Sequence, residues 1–440
     1  MKPLQVLFIS SRPPQHSAGL ADDMMNALTA AGHQVDFLTR FDFEGRENNQ
    51  YYVFKKPSKV RLLFDRFLRF PDIVRYGKKG MYSKIISNGM MITNLHEDKP
   101  RMRASSIVAS IKKQYDVVVT LFWQDMLTTC TLKAIYEKLH CPIIIRSVDM
   151  FTYTGGCFYF ADCRNYEKGC GCCPILNSSN PNDQTHKNFL IKKKMYDSID
   201  YAIGLNTWMK RFASKTGLFE DWRIIMTCAI IDEDKFKPLD INKARERFGI
   251  SGHDKFVLFA RYSAFADGKR KGFDYLVDAL DQFYDMLTRE ERQSVVLLFA
   301  GSDLTKEKQR LKFEAIDAGF LSAADLIMAY NAATAFLNPV IDDAGPSMVN
   351  QSIMCGTPVI SFNVGTAIDV IDKGISGYRV ETKNTKDYAL AIYDLFNMSL
   401  EEKKKLRHSC RERGLETSSK QSFARMVENT YELLTQRRVK

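Results

Sequence analysis

The stretch from Phe336 to Gly377 limits the possible folds more than any other part of this chain. An apolar run, Phe336-Leu337, passes through Asn338-Pro339 into a loop holding Asp342-Asp343-Ala344-Gly345-Pro346-Ser347. Gln351-Ser352-Ile353-Met354-Cys355 follows, then a Gly356-Thr357-Pro358 turn and a second apolar run from Val359-Ile360. Gly365 and the turn Gly374-Ile375-Ser376-Gly377 close the stretch. The order is strand, loop, helix, buried strand. An open α/β sheet uses that order to build a ligand crevice at the carboxyl ends of its strands. Asp343 places an acid in the loop, and Gln351, eight positions on, places a polar group on the helix.

The rest of the chain extends the alternation. Leu4–Ser10 and Gln34–Thr39 read as strands, with a helix over Ala18–Ala31 ended by Gly32. Tyr115–Phe122 and Pro142–Ser147 are two more strands, separated by a helix over Thr128–Leu139. A second series begins near Asp254, with strands at Lys255–Ala260, Val295–Ala300, Ala335–Leu337 and Val359–Phe362. Helices are expected at Asp325–Tyr330, Ser347–Cys355, 384–397 and 400–437. Strands alternating with helices imply mostly parallel sheets. A length of 440 residues makes two domains the natural division. No apolar run reaches the roughly 18 residues of a membrane span. The start, Met1-Lys2-Pro3 into Leu4–Ile9, reads as a first strand rather than a secretory signal.

The Asp343–Gly377 stretch resembles the donor-sugar segment of the family 4 glycosyltransferases. Their pattern is a Glu, seven residues, a second Glu, a helix end of small residues and Gly-x-Pro-Val-Ile. Asp343 and Gln351 stand at the two Glu positions here. The resemblance implies an α/β chain of the GT-B fold: two Rossmann-like, doubly wound domains facing a cleft, with a C-terminal helix crossing back to the first. On that template residues 1–228 form an acceptor-binding domain with a Cys-rich insertion at 155–175. Residues 229–415 form the nucleotide-sugar-binding domain, and 416–440 the returning helix.

A nucleotide-sugar donor carries a diphosphate on which negative charge builds as the sugar leaves, so fixed cations aimed there stabilise the transition state. The family places an Arg after the first strand of its second domain and a Lys just before a Gly at the next helix start. Arg261 and Lys271 match those positions. The residues alone leave a solvated basic loop as the alternative. In the first domain the family's Gly-Gly pair is Ala18-Gly19, where Gly19 would let helix N–H groups approach a phosphate; nearby His16 reads as a donor or acceptor contact or as an ordinary loop histidine. Asp343, with Arg261 and Lys271, takes the catalytic role by resemblance, facing sugar hydroxyls or the anomeric centre. Gly345 and Ser347 lie where the family's backbone meets sugar and phosphates, whereas Pro346 has no N–H to give. Gln351 matches the Glu that binds ribose hydroxyls and can bond vicinal hydroxyls through its carbonyl and NH2. Gly319-Phe320 aligns with the nucleobase loop.

Two departures lie in the first domain. A related subset carries a His-Asp pair where this chain has Val148-Asp149, so Asp149 is left to orient an acceptor hydroxyl or to cap a turn. Before the linker, Cys228-Ala229 replaces a Pro-Asn.

The net charge of +11 is concentrated between residues 55 and 84, where ten Lys and Arg residues interleave with Val60, Leu63, Phe64, Phe67, Leu68 and Phe70. Such a segment lies on an anionic membrane surface or packs on its own sheet with a solvated basic rim. Five of ten cysteines fall between Cys157 and Cys173. Cys157, Cys163, Cys170 and Cys173 on Gly-rich turns suit a structural tetrahedral Zn²⁺; reduced thiols and disulfides are the alternatives. The run Thr154-Gly155-Gly156-Cys157 to Cys173-Pro174 also resembles an insertion in that subset. No RNA- or DNA-binding signature accompanies it.

The expectation is a retaining, metal-independent hexosyltransferase that moves a sugar from a nucleotide sugar to a glycan, lipid-linked, in bacterial surface polysaccharide synthesis. It would be cytoplasmic, peripheral at the inner face of the membrane, with no nucleic-acid partner. The alternative is a catalytically silent glycan- or nucleotide-binding relative.

Overall fold

The structure, a computed structural model, describes residues 2–11, 20–40, 51–53, 60, 63, 67, 74, 83–85, 91–93, 96–98, 102–121, 126–227, 229–252, 254–263 and 268–438. They group into two units. The first comprises Met1–Leu205, Met209–Thr227 and Phe423–Lys440; the second comprises Asn206–Trp208 and Cys228–Ser422.

The strands of the first unit are β1 (Gln5–Ser10), β2 (Gln34–Thr39), β3 (Tyr51–Val53), β4 (Ser83–Ile85), β5 (Met91–Thr93), β6 (Val117–Leu121), β7 (Ile143–Arg146), β8 (Cys157–Tyr159), β9 (Tyr201–Leu205) and β10 (Ile224–Met226). Seven form one parallel sheet in the order β10-β9-β7-β6-β1-β2-β3. Its centre is buried on both faces, which is why β6 and β7 read as unbroken runs of Val and Ile rather than as alternations. A separate antiparallel sheet, β4-β5-β8, was not anticipated. Its strands are three residues long, too short to carry a period.

Helices α1 (Leu20–Ala30), α2 (Thr129–Leu139) and α3 (Gln184–Tyr196) belong to this unit. Lys192 of α3 and Glu97 form an ion pair at 3.6 Å with both side chains essentially inaccessible to water. Lys192 Nζ also donates to the carbonyls of Phe151 and Thr154. Glu97 Oε2 accepts from the Thr129 N–H and hydroxyl, each at 3.0 Å. The pair thus ties the start of α2 and the second half of α3 to the turn at Met150–Tyr153.

The second unit has six strands, β11 (Phe256–Tyr262), β12 (Val295–Gly301), β13 (Glu314–Asp317), β14 (Ala335–Asn338), β15 (Val359–Phe362) and β16 (Gly377–Val380). All are parallel, in the order β13-β12-β11-β14-β15-β16. Its helices include α4 (Phe273–Met286), α5 (Ala323–Ala332), α6 (Ser347–Met354) and α7 (Leu400–Ser418), followed by α8 (Lys420–Arg438). The helical stretch expected at 400–437 is broken at Ser419, which is extended (φ −77°, ψ 166°) and accepts from the Ser422 N–H to start α8. Lys420 is pinned beside the break by Asp232 at 2.9 Å and Asp234 at 2.6 Å. From Phe423 onward α8 groups with the first unit. There the Leu4 N–H donates to His33 Nδ1, leaving Nε2 to donate to Glu428 at 3.1 Å. The Arg437 guanidinium sits 3.9 Å from the Trp222 ring centre.

Two outcomes are expected. Lys192→Met leaves Glu97 buried and uncompensated, which should cost about 3–5 kcal/mol in urea unfolding; adding Glu97→Gln should recover a large part. The second concerns Asp232. Burial works to raise its carboxyl, but Lys420, Lys235 and the Asp234 N–H outweigh this and hold it at about 2. A depressed acid stabilises the fold above its unfolded pKa, and the contribution is lost as pH falls through the folded value. Asp232→Asn should therefore melt about 2–4 °C below the parent at pH 7, the shift that 1 kcal/mol gives a unit of this size. That gap should close between about pH 4 and pH 2.

Candidate functional site

Strands β11 and β14 are neighbours, and the polypeptide leaving their carboxyl ends builds the site. Beyond β11 a single turn, Gly268–Lys271, runs through Gly272 into α4. Gly272 has φ +75°, and a Cβ there would stand 1.8 Å from the carbonyl oxygen of Pro339, the residue after β14. Only glycine permits that approach. The Ile341 N–H donates to the Arg270 carbonyl at 2.9 Å, which locks the two segments together.

The same approach delivers the charges. Asp343 Oδ2 receives Lys271 Nζ at 2.7 Å and Arg270 Nη1 at 2.9 Å, and Oδ1 receives the Gly345 N–H at 3.1 Å. Burial acts to raise the Asp343 carboxyl, but Lys271 and Arg270 overcome it and hold it below the ordinary value. Asp343 is therefore an ionised, fully engaged acceptor. Gly365, at φ +59°, closes the loop from behind: a Cβ there would lie 2.6 Å from the Asp343 carbonyl. Asn206 donates to the Ala344 carbonyl from the other side.

Gln351, on the first turns of α6, accepts at Oε1 from the Tyr330 hydroxyl at 3.0 Å. Tyr330 is fully buried on α5. Burial pushes its hydroxyl pKa up, and the charge of Arg261 acts in the opposite sense. Arg261 itself is exposed near the end of β11. Ser347, the first residue of α6, is also exposed.

Thus Lys271, Asp343 and Gly345 are in direct contact, whereas Gln351 is bonded to Tyr330 instead. Arg270 and Tyr330 were not among the candidates. Arg270 was legible as the middle of a Lys269-Arg270-Lys271 run, but Tyr330, on another helix, had no local signal. The Gly345 N–H, expected to face a ligand, is occupied by Asp343. Asp149 takes the turn-capping role, accepting from the Phe151 N–H at 2.9 Å. Phe320 is 76% exposed. Gly19, His16 and Cys228 lie outside the described residues, as does most of segment 55–84.

The zinc expectation finds no support. Cys157, Cys163, Cys170 and Cys173 do converge on one hollow, of about 20 Å³, beside Ile175. Yet among the described residues no group of three or more His, Cys, Asp or Glu side chains is arranged to hold a metal ion. Burial, first of all, pushes the thiols of Cys157, Cys170 and Cys173 up, and neighbouring thiols of the cluster add to this. Ile92, Ile175 and Leu176 pack against Cys157, Cys163 and Cys173.

Residues 240–417 match the family model described as "Glycosyl transferases group 1". The D-inositol 3-phosphate glycosyltransferase of Geodermatophilus obscurus is 29% identical over 175 residues, 37% of this chain and 38% of that protein. A second, from Catenulispora acidiphila, is 28% identical over 38% of this chain and 42% of its own. The chain therefore spans about two fifths of the length of these curated relatives. Among solved structures, HepE from Anabaena in complex with UDP-glucose shares 12% identity at a TM-score of 0.60, covering 98% of this chain and 100% of that one. Sucrose-phosphate synthase from Thermosynechococcus elongatus gives 16% and 0.57, covering 98% and 99%. The structural likenesses show a two-domain α/β fold of the GT-B kind over nearly the whole chain, and residues 240–417 are similar to the group 1 glycosyl transferases.

Proposed function

We propose that this chain is a glycosyltransferase that moves a sugar from a nucleotide-sugar donor to a glycan acceptor. The observation that carries the reading is the junction of Lys271, Arg270 and Asp343 at the carboxyl ends of β11 and β14. It concentrates buried positive charge where an open α/β sheet takes its ligand. In the proposed reaction the oxygen of an acceptor hydroxyl bonds to the anomeric carbon as the bond from that carbon to the terminal phosphate oxygen breaks, and the hydroxyl proton passes to the departing phosphate. The electron pair of the broken bond stays on the phosphate oxygen, and Lys271 and Arg261 stabilise the charge without a catalytic metal. Gln351 and Ser347 bind the ribose and the phosphates. The relatives and neighbours supply the donor class to try first, since HepE was solved with UDP-glucose.

The finer reading follows the family resemblance. Transfer is of a hexose, with retention at the anomeric carbon, to a lipid-linked glycan in bacterial surface polysaccharide synthesis, with the first unit taking the acceptor. Among the described residues no helix is long and apolar enough to cross a membrane. Val60, Leu63, Phe67 and Val74 are helical and 65–77% exposed within the basic segment, which supports a peripheral contact with an anionic cytoplasmic membrane face.

A thermal-shift screen against UDP, GDP, ADP and their sugars tests the proposal, because a ligand that binds only the folded state raises its melting temperature. One nucleotide diphosphate should raise it by several degrees, and Arg261→Ala with Lys271→Ala should abolish the shift. Binding without transfer to any glycan acceptor would favour the catalytically silent relative, a reading that the fully engaged Asp343 and the uncharged Gln351 also accommodate. No shift in well-folded protein would sink the active transferase and favour the silent relative.

A further inference from the structure

The carboxylate of Asp343 holds the two side chains that a diphosphate would need. Its Oδ2 alone takes Lys271 Nζ at 2.7 Å and Arg270 Nη1 at 2.9 Å. The carboxylate side chain is 10% exposed, that of Arg270 13% and that of Lys271 24%. The triad's charge sums to one positive unit rather than two. Two cations converging on one oxygen also describes how a phosphate oxygen is held, through charge-assisted hydrogen bonds of the same length. The carboxylate thus stands in the electrostatic place of an anion from outside.

We propose that Asp343 is a resident counter-anion for the donor's diphosphate: it holds Lys271 and Arg270 when no donor is bound, and gives them up when one enters. The proposal rests on the reading of this site as a nucleotide-sugar site. Its content concerns exchange. A diphosphate arriving at this site replaces an existing charge pair instead of filling bare cations, so its net gain is reduced by the energy of the pair it breaks. The same competition works in reverse after transfer, when Asp343 reclaims Lys271 and helps expel the nucleoside diphosphate. Side-chain length fits this role. Asp343 reaches both cations while its Oδ1 stays on the Gly345 N–H, so the loop is held whichever partner occupies Oδ2. Arg270 is held independently by the Asp342 carbonyl at 3.2 Å and by its own backbone bond to Ile341. It therefore stays in place when Asp343 lets go.

Isothermal titration of the full chain with inorganic pyrophosphate and with UDP, GDP and ADP tests this. Asp343→Asn keeps the shape and an oxygen for Gly345 but removes the competing charge. It should bind pyrophosphate and the cognate nucleoside diphosphate about tenfold more tightly than the parent, and release the nucleotide more slowly in stopped flow. Asp343→Ser, too short to reach either cation, should show the same gain and takes the place of the first variant if that fails to fold. In the background of Lys271→Met the gain should disappear. Unchanged or weaker binding in both Asp343 variants, with a parent that binds nucleoside diphosphates, overturns the exchange and leaves the donor site standing. Absence of any nucleoside diphosphate or pyrophosphate binding in parent and variants overturns the donor site and the exchange together.

Discussion

The site depends on one contact from which a side chain is excluded. The Pro339 carbonyl occupies the place where any Cβ at position 272 would stand. Because Gly272 yields that space, the turn before α4 and the loop after β14 become one surface. The Ile341–Arg270 backbone bond follows from this, and with it the ion pairs of Lys271 and Arg270 on Asp343. Gly365 repeats the device on the far side of the loop, under the Asp343 carbonyl. The charges are thus positioned by backbone geometry, and little side-chain entropy remains to be lost when a ligand orders them.

The second unit was legible because its signals are local. The strands at Val295 and Val359 and the helix at Ser347 begin where the sequence placed them, since each lies between a turn signal and a run of one period. Lys271 and Asp343 could be named from motif position. Their mutual contact could not, because it spans some seventy residues and is set by the sheet order β11-β14. The break at Ser419 was missed because a Ser within charged, helix-favouring sequence gives no stop signal until its hydroxyl is seen to accept from Ser422.

In the first unit, spacing and glycines bring four sulfurs to one hollow, as expected. What spacing does not convey is the medium around them. Ile92 and Ile175 pack on the cluster, and burial pushes its thiols up. The buried cation nearby, Lys192, acts in the opposite sense on Cys157 and Cys170, but it is also committed to Glu97 and to two carbonyls. Neither Glu97 nor Lys192 stood out in the sequence, where each is one charge among many.

The two departures from the family's acids form a consistent pair once their partners are known. The Tyr330 hydroxyl is enclosed and needs an acceptor, which Gln351 supplies through Oε1. That bond commits the carbonyl end of the amide and leaves its N–H groups for another partner. A Glu in the same place would offer only acceptors, so the substitution leaves donors free for a ligand, as well as removing a charge. At the other position, Asp343 keeps its charge but is neutralised by two cations. The two changes act in the same direction. Neither residue presents an unpaired negative charge, and Arg261 is exposed near the end of β11. The electrostatic balance of these residues therefore favours an anionic group. For the nucleotide-sugar donor proposed above, recognition would then begin with the phosphates and leave discrimination among sugars to groups that carry no charge.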